Sequence, residues 1–133
     1  MEKNQNTAFV IVDAQRGFMP ASEACLSPED DTSYTGALAY DPTTGLLLPD
    51  WLRQNNRDTT YVAGVALGDG DEHMLCVDST AIDLHRQGFN VTLVSDATEA
   101  VMPANRELCL RNLAARGISI VTTEQAIAAV RGK

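Results

Sequence analysis

Lysine is almost absent: Lys3 and Lys133 are the only two in 133 residues. No basic cluster exists to neutralise a run of phosphates, and the net charge of −8 opposes nucleic acid and anionic membrane surfaces alike. No apolar run approaches the roughly 18 residues that a spanning helix needs. Three cysteines, Cys25, Cys76 and Cys109, are too few and too scattered for a disulfide framework or a zinc cluster. The opening MEKNQNTAFVIVD lacks a signal peptide's layout, because a short polar lead runs straight into an apolar stretch. These absences point to a cytoplasmic protein with reduced thiols and with neither nucleic acid nor membrane as partner.

What is present is a rhythm. Four short apolar runs rich in β-branched residues, 8–12 (AFVIV), 60–66 (TYVAGVA), 90–95 (NVTLVS) and 118–122 (ISIVT), read as buried parallel strands. Helical segments separate them. LLPDWLRQNN spaces Leu48, Trp51 and Leu52 for one face and carries Pro49 near its start. MLCVDSTAIDLHRQG puts Val77, Ala81 and Leu84 on one face and stops at Gly88. PANRELCLRNLAARG stops at Gly117, and TTEQAIAAV opens with Thr122 and Gln125 in capping-box spacing. Alternating strands and helices predict a single α/β domain, doubly wound in three layers, on a mainly parallel sheet of about four strands. Residues 20–45 are polar and turn-rich, and predict an irregular loop with at most one short helical turn.

Ligands of such sheets bind beyond the carboxyl ends of the strands. Asp13 ends the first strand and Cys76 follows the second, so both are expected on one rim. The segments FVIVDAQRGFMP (9–20), YVAGVAL with CVDSTAIDLHRQGFNVTLVSDAT (61–98) and LAARGISIVTTEQAI (113–127) resemble the isochorismatase-like cysteine hydrolases, and among them the nicotinamidases. SYTGALAYDPTTGLLLPDWLR (33–53) is more loosely similar. The resemblance implies a cysteine amidohydrolase acting on a small amide. Cys76 would be the nucleophile, Asp13 the general acid/base, and the N–H groups of Ala66 and Cys76 the oxyanion hole beside a cis Val65–Ala66 bond. Phe18 would line the substrate pocket.

The chain departs from that family in three ways. The catalytic lysine is missing, because neither Lys3 nor Lys133 falls within 21–35. The nicotinamidase metal ligands are missing too, with a strand–helix–strand unit apparently deleted between the first motif and SYTG, so no metal or cofactor is expected. Finally, six residues, GDGDEH (68–73), separate the two oxyanion donors. The deletion would leave AFVIV as an apolar sheet edge, which predicts a homo-oligomer formed through it, or else coverage by residues 21–45. The insertion invites three readings. His73 stands one helical turn before Cys76 and would replace the lost lysine as base; or Asp69, Asp71, Glu72 and His73 bind a divalent metal, although not in EF-hand spacing; or the loop is solvated and flexible, turned by Gly68 and Gly70. Cys25 and Cys109 read as structural, and His85 as ordinary surface. An active hydrolase and a catalytically inactive, hydrolase-derived binding or assembly module both remain open.

Overall fold

The computed structural model describes residues 6–13 and 35–132. Phe18, Cys25 and the greater part of the 20–45 stretch lie outside the described residues, as does the side chain of Asp13. The elements run β1 (Thr7–Asp13), α1 (Leu48–Gln54), β2 (Thr59–Leu67), α2 (Cys76–Arg86), β3 (Asn90–Ala100), α3 (Arg106–Ala115), β4 (Ser119–Val121) and α4 (Thr123–Val130). The strands form one parallel sheet in the order β1-β2-β3-β4. The fold is therefore α/β, with four strands flanked by helices among the described residues. Between Thr35 and the start of α1 lie a single 3-10 turn, Gly36–Leu38, and a bridge between Tyr40 and Leu47.

Each element has a local cause. Pro49 pre-sets the first turn of α1, where its missing N–H is not needed. α2 ends because Gly88 takes φ +97, a conformation that glycine adopts without cost. At α4 the expected capping box is present: Thr122 Oγ1 accepts from Gln125 N at 3.2 Å, and Thr122 N donates to Gln125 Oε1 at 2.9 Å. β3 exceeds its expected end at Ser95 and runs to Ala100 through polar residues, held by backbone pairing to β2.

The main core lies on one face of the sheet. Val77, Ala81 and Leu84 of α2 are fully buried there against Val62, Leu67 and Leu93. Burying each of the larger of these side chains contributes about 1.5–3 kcal/mol. The opposite face carries a smaller cluster, Ala63, Val94 and Ala126, to which α4 contributes. The alternation of β1 follows from the strand period of two: Ala8, Val10 and Val12 pack on the main core. Phe9 and Ile11 point the other way and are 53% and 70% exposed, with the Phe9 ring stacked on Tyr61 at 5.2 Å. Among the described residues β1 pairs with β2 alone and so forms a sheet edge.

Gly64 leaves no room for a side chain between β2 and β1. Its φ is +119, and a Cβ there would lie 1.9 Å from the carbonyl oxygen of Val12. Gly64→Ala should therefore destabilise the fold by about 2–4 kcal/mol. The check is denaturant unfolding, in which the midpoint falls while the slope is unchanged.

Candidate active site

The site builds from the carboxyl ends of β1 and β2. In the sheet register Asp13 stands opposite Val65. The Val65–Ala66 peptide bond is cis, at the position where the family resemblance puts one. Ala66 and Leu67 follow, both buried, and close β2. Cys76 is the first residue of α2 and is 7% exposed. Its N–H therefore has no partner inside the helix. The structure thus brings the backbone of Asp13 beside the Val65–Ala66 bond, and places Cys76 at the helix start that follows.

Between Ala66 and Cys76 the insertion loops out from a narrow neck. Asp69 N–H donates to the carbonyl of His73 at 3.1 Å. A Cβ on Gly68 would lie 2.0 Å from that same oxygen and 2.9 Å from Leu75 N, so only glycine fits the neck. Asp71, Glu72 and His73 are exposed, but Gly68 and Gly70 are buried. The far side of the loop is tied to α3: Asn112 Nδ2 donates to the Asp69 carbonyl at 2.7 Å, and Arg116 Nε to the Gly70 carbonyl at 3.3 Å. The expectation of a merely solvated, flexible loop is corrected, because its glycines are interior and its backbone is bonded on two sides.

Asp78 is the residue that sequence reasoning missed. It is fully buried in the first turn of α2. Its carboxylate accepts from Leu75 N at 2.8 Å and Gly68 N at 3.1 Å through Oδ1, and from Gly70 N at 2.9 Å through Oδ2. The thiol of Cys109 donates to Oδ2 at 3.7 Å. Burial pushes the Asp78 carboxyl up, and the three N–H groups oppose that rise. The signal was available as an acidic residue three positions into a helix, behind a glycine-rich loop.

His73 lies outside the helix, which begins only at Cys76. The helical spacing expected to place His73 beside the thiol therefore does not exist. The proposed metal set is otherwise employed: Asp69 Oδ1 accepts from Asp71 N and His73 N, both at 2.9 Å, and Asp71 pairs with Arg116 at 3.4 Å. Among the described residues no group of three or more His, Cys, Asp or Glu side chains is placed to hold a metal ion. His85 is half-buried, its ring set near Gly117.

Burial, then the charge of Asp78, pushes the Cys76 thiol up to about 11. The expected lowering at a helix N-terminus is overridden. Burial likewise raises Cys109. A cavity of about 590 Å3 opens at the carboxyl ends of β2 and β3, with Leu75 but not Cys76 in its lining. Its wall includes Gly68, Glu72, His73 and Leu75 of the loop, together with Ser79 and Met102.

The Isochorismatase domain family matches residues 25–125. The chain belongs to the isochorismatase-like hydrolase family. It is 32% identical over 103 residues to Isochorismatase domain-containing protein 1 of Danio rerio, covering 76% of this chain and 36% of that relative. It therefore spans about a third of the length of that curated relative. Among solved structures it is similar to PnC1 from L. infantum in complex with nicotinate, with a TM-score of 0.53 and 27% identity over 68% of this chain and 42% of that one. An isochorismatase family protein from Desulfovibrio vulgaris gives a TM-score of 0.61 over 98% of this chain and 100% of that one, at 18% identity. That last likeness speaks for the fold. No helix among the described residues is long and apolar enough to cross a membrane.

A thiol held near 11 has a definite signature. Only the thiolate is alkylated. The rate of iodoacetamide labelling at Cys76, read peptide by peptide, should climb about tenfold per pH unit from 7.5 to 9.5 without levelling. A plateau below pH 8 would show an activated thiol instead.

Proposed function

We propose that the protein is a nicotinamidase-like cysteine hydrolase that cleaves a small amide through Cys76, with Asp13 as acid and base. The observation that carries this reading is the combination at the end of β2: a cis Val65–Ala66 bond opposite Asp13, then Cys76 at the first position of α2. The bound nicotinate in the similar PnC1 structure favours an aromatic carboxamide as substrate.

In this reading Asp13 takes the proton of the Cys76 thiol as Sγ bonds to the amide carbon. The carbonyl electron pair moves onto oxygen, and the N–H groups of Ala66 and Cys76 stabilise that oxyanion. Collapse breaks the C–N bond, and Asp13 returns the proton to the departing nitrogen, which leaves as ammonia. A water molecule, deprotonated by Asp13, then attacks the thioester. The C–S bond breaks, the acid is released and the thiol is restored. Because Cys76 rests as a thiol near 11, proton removal has to accompany attack rather than precede it.

A second reading, a catalytically inactive assembly module, is favoured by the same raised thiol and by the exposed Phe9 and Ile11 on the β1 edge. Under it the protein forms a homo-oligomer through that edge.

Ammonia release from nicotinamide and a panel of small amides decides between them. Under the hydrolase reading the natural sequence turns over, Cys76→Ala loses at least a thousandfold, and kcat/KM stays level with pH above neutrality until the thiol itself begins to ionise. Absence of turnover throughout, with a light-scattering mass above the monomer that falls to it in Phe9→Ser/Ile11→Ser, would establish the assembly module.

A further inference from the structure

We propose that Asp78 is the positioning residue of this site: its carboxylate folds residues 68–75 into a closed loop, so that the insertion becomes a wall of the neighbouring cavity while Ala66 and Cys76 stay at the loop's two feet. The naming of Ala66 and Cys76 as reacting groups rests on the hydrolase reading. The loop geometry stands apart from it.

The distribution of the Asp78 bonds makes the case. A carboxylate at the third helical position ordinarily serves its own helix, by reaching back to the N–H of the capping residue. Asp78 does this with Leu75. Its two other backbone bonds go to Gly68 and Gly70, ten and eight residues earlier in the chain. One buried side chain therefore grips the loop on its descending side, at its turn and at its return. Among the described residues Asp78 is the one acceptor for the N–H groups of Gly68, Gly70 and Leu75. Without the carboxylate three buried or half-buried donors would go unpaired, each a substantial penalty.

Glycine at 70 completes the fit. Its φ is +73, and a Cβ would lie 2.9 Å from the carbonyl oxygen of Cys109, so the loop backbone lies directly on α3. The cavity wall formed by Glu72, His73 and Leu75 hangs from these anchors. In this arrangement the excess length of the insertion is taken up beyond the neck that Asp78 holds.

Amide hydrogen exchange by NMR on the full chain, with Asp78→Ala and Asp78→Asn, tests this. The alanine variant should speed exchange at Gly68, Gly70 and Leu75 at least tenfold and leave Leu93 of β3 unchanged. The asparagine variant keeps one side-chain oxygen and replaces Oδ2 by a donor. It should therefore speed Gly70 alone, and rescue Gly68 and Leu75. Unchanged exchange at all three, or an equal rise across the sheet in both variants, would overturn the proposal. If the alanine variant does not fold, the asparagine pattern decides alone. Exchange requires no turnover, so an inactive natural protein would defeat the hydrolase reading and leave this one standing. Unchanged loop exchange in an active enzyme would do the reverse.

Discussion

Parallel pairing is the constraint from which the architecture follows. Two parallel strands cannot be joined by a hairpin, so the chain must cross a face of the sheet to begin each new strand. Here the strands are laid down in one direction, β1-β2-β3-β4. With right-handed crossovers, every connection made in one direction falls on the same face. α1, α2 and α3 accordingly share the main core. Among the described residues the other face receives α4 alone, which follows the last strand and packs back on β3. That is why Phe9 and Ile11, apolar and on a sheet, stand exposed while Val10 between them packs inward. The same rule aligns the carboxyl ends of all four strands on one rim. Asp13 and Cys76 are brought to one side of the molecule by topology before any side-chain contact is considered.

The rim is then shaped by the contest between chain length and closure. An insertion separates the groups on either side of it unless its ends meet. Loop closure adds little cost with length, so what matters is whether specific bonds hold the neck. Gly68 admits the carbonyl of His73 where any other residue would collide. Asp78 supplies acceptors on one side, and Asn112 and Arg116 supply donors on the other. The acidic character of GDGDEH is thus divided by role. Asp69 bonds its own turn, Asp71 faces Arg116, and the glycines do the interior packing.

Much of the fold was legible because its signals are side-chain patterns. Continuous apolar runs marked the strands, Val77, Ala81 and Leu84 marked the buried face of α2, and Thr122 with Gln125 marked the start of α4. The extension of β3 was not legible. SDATEA carries no apolar period, and its strand form comes from pairing Thr98, Glu99 and Ala100 with β2, while Arg106 donates to the carbonyls of Ser95 and Thr98 at the irregularity between. The loop was misread for a related reason. Its burial resides in glycine N–H groups, which have no signature in a sequence, so the visible charges suggested solvent. His73 was misplaced because three-residue spacing has meaning only within a helix, and α2 starts at Cys76. The cis bond and the roles of Asp13, Phe18 and Cys76 were suggested by resemblance. Composition and spacing alone would have left Cys76 as a small thiol at a helix start.

The energetics of that thiol bear on what chemistry the site can perform. A helix N-terminus favours an adjacent anion by about 0.3–1 kcal/mol, and by about 2 kcal/mol in favourable partly buried geometries. Burial, then the Asp78 charge, raises the thiol from 9.0 to about 11, which disfavours the thiolate. Burial and the Asp78 charge therefore outweigh the helix. A nearby ammonium would reverse the balance, but the sequence has no lysine between Lys3 and Lys133. The carboxylate that closes the loop thus opposes the ionisation that a pre-formed thiolate nucleophile requires. Loop closure and thiol activation make opposite demands on charge at this helix start. The structure satisfies closure, and the Cys76 thiol stays protonated at neutral pH as a result.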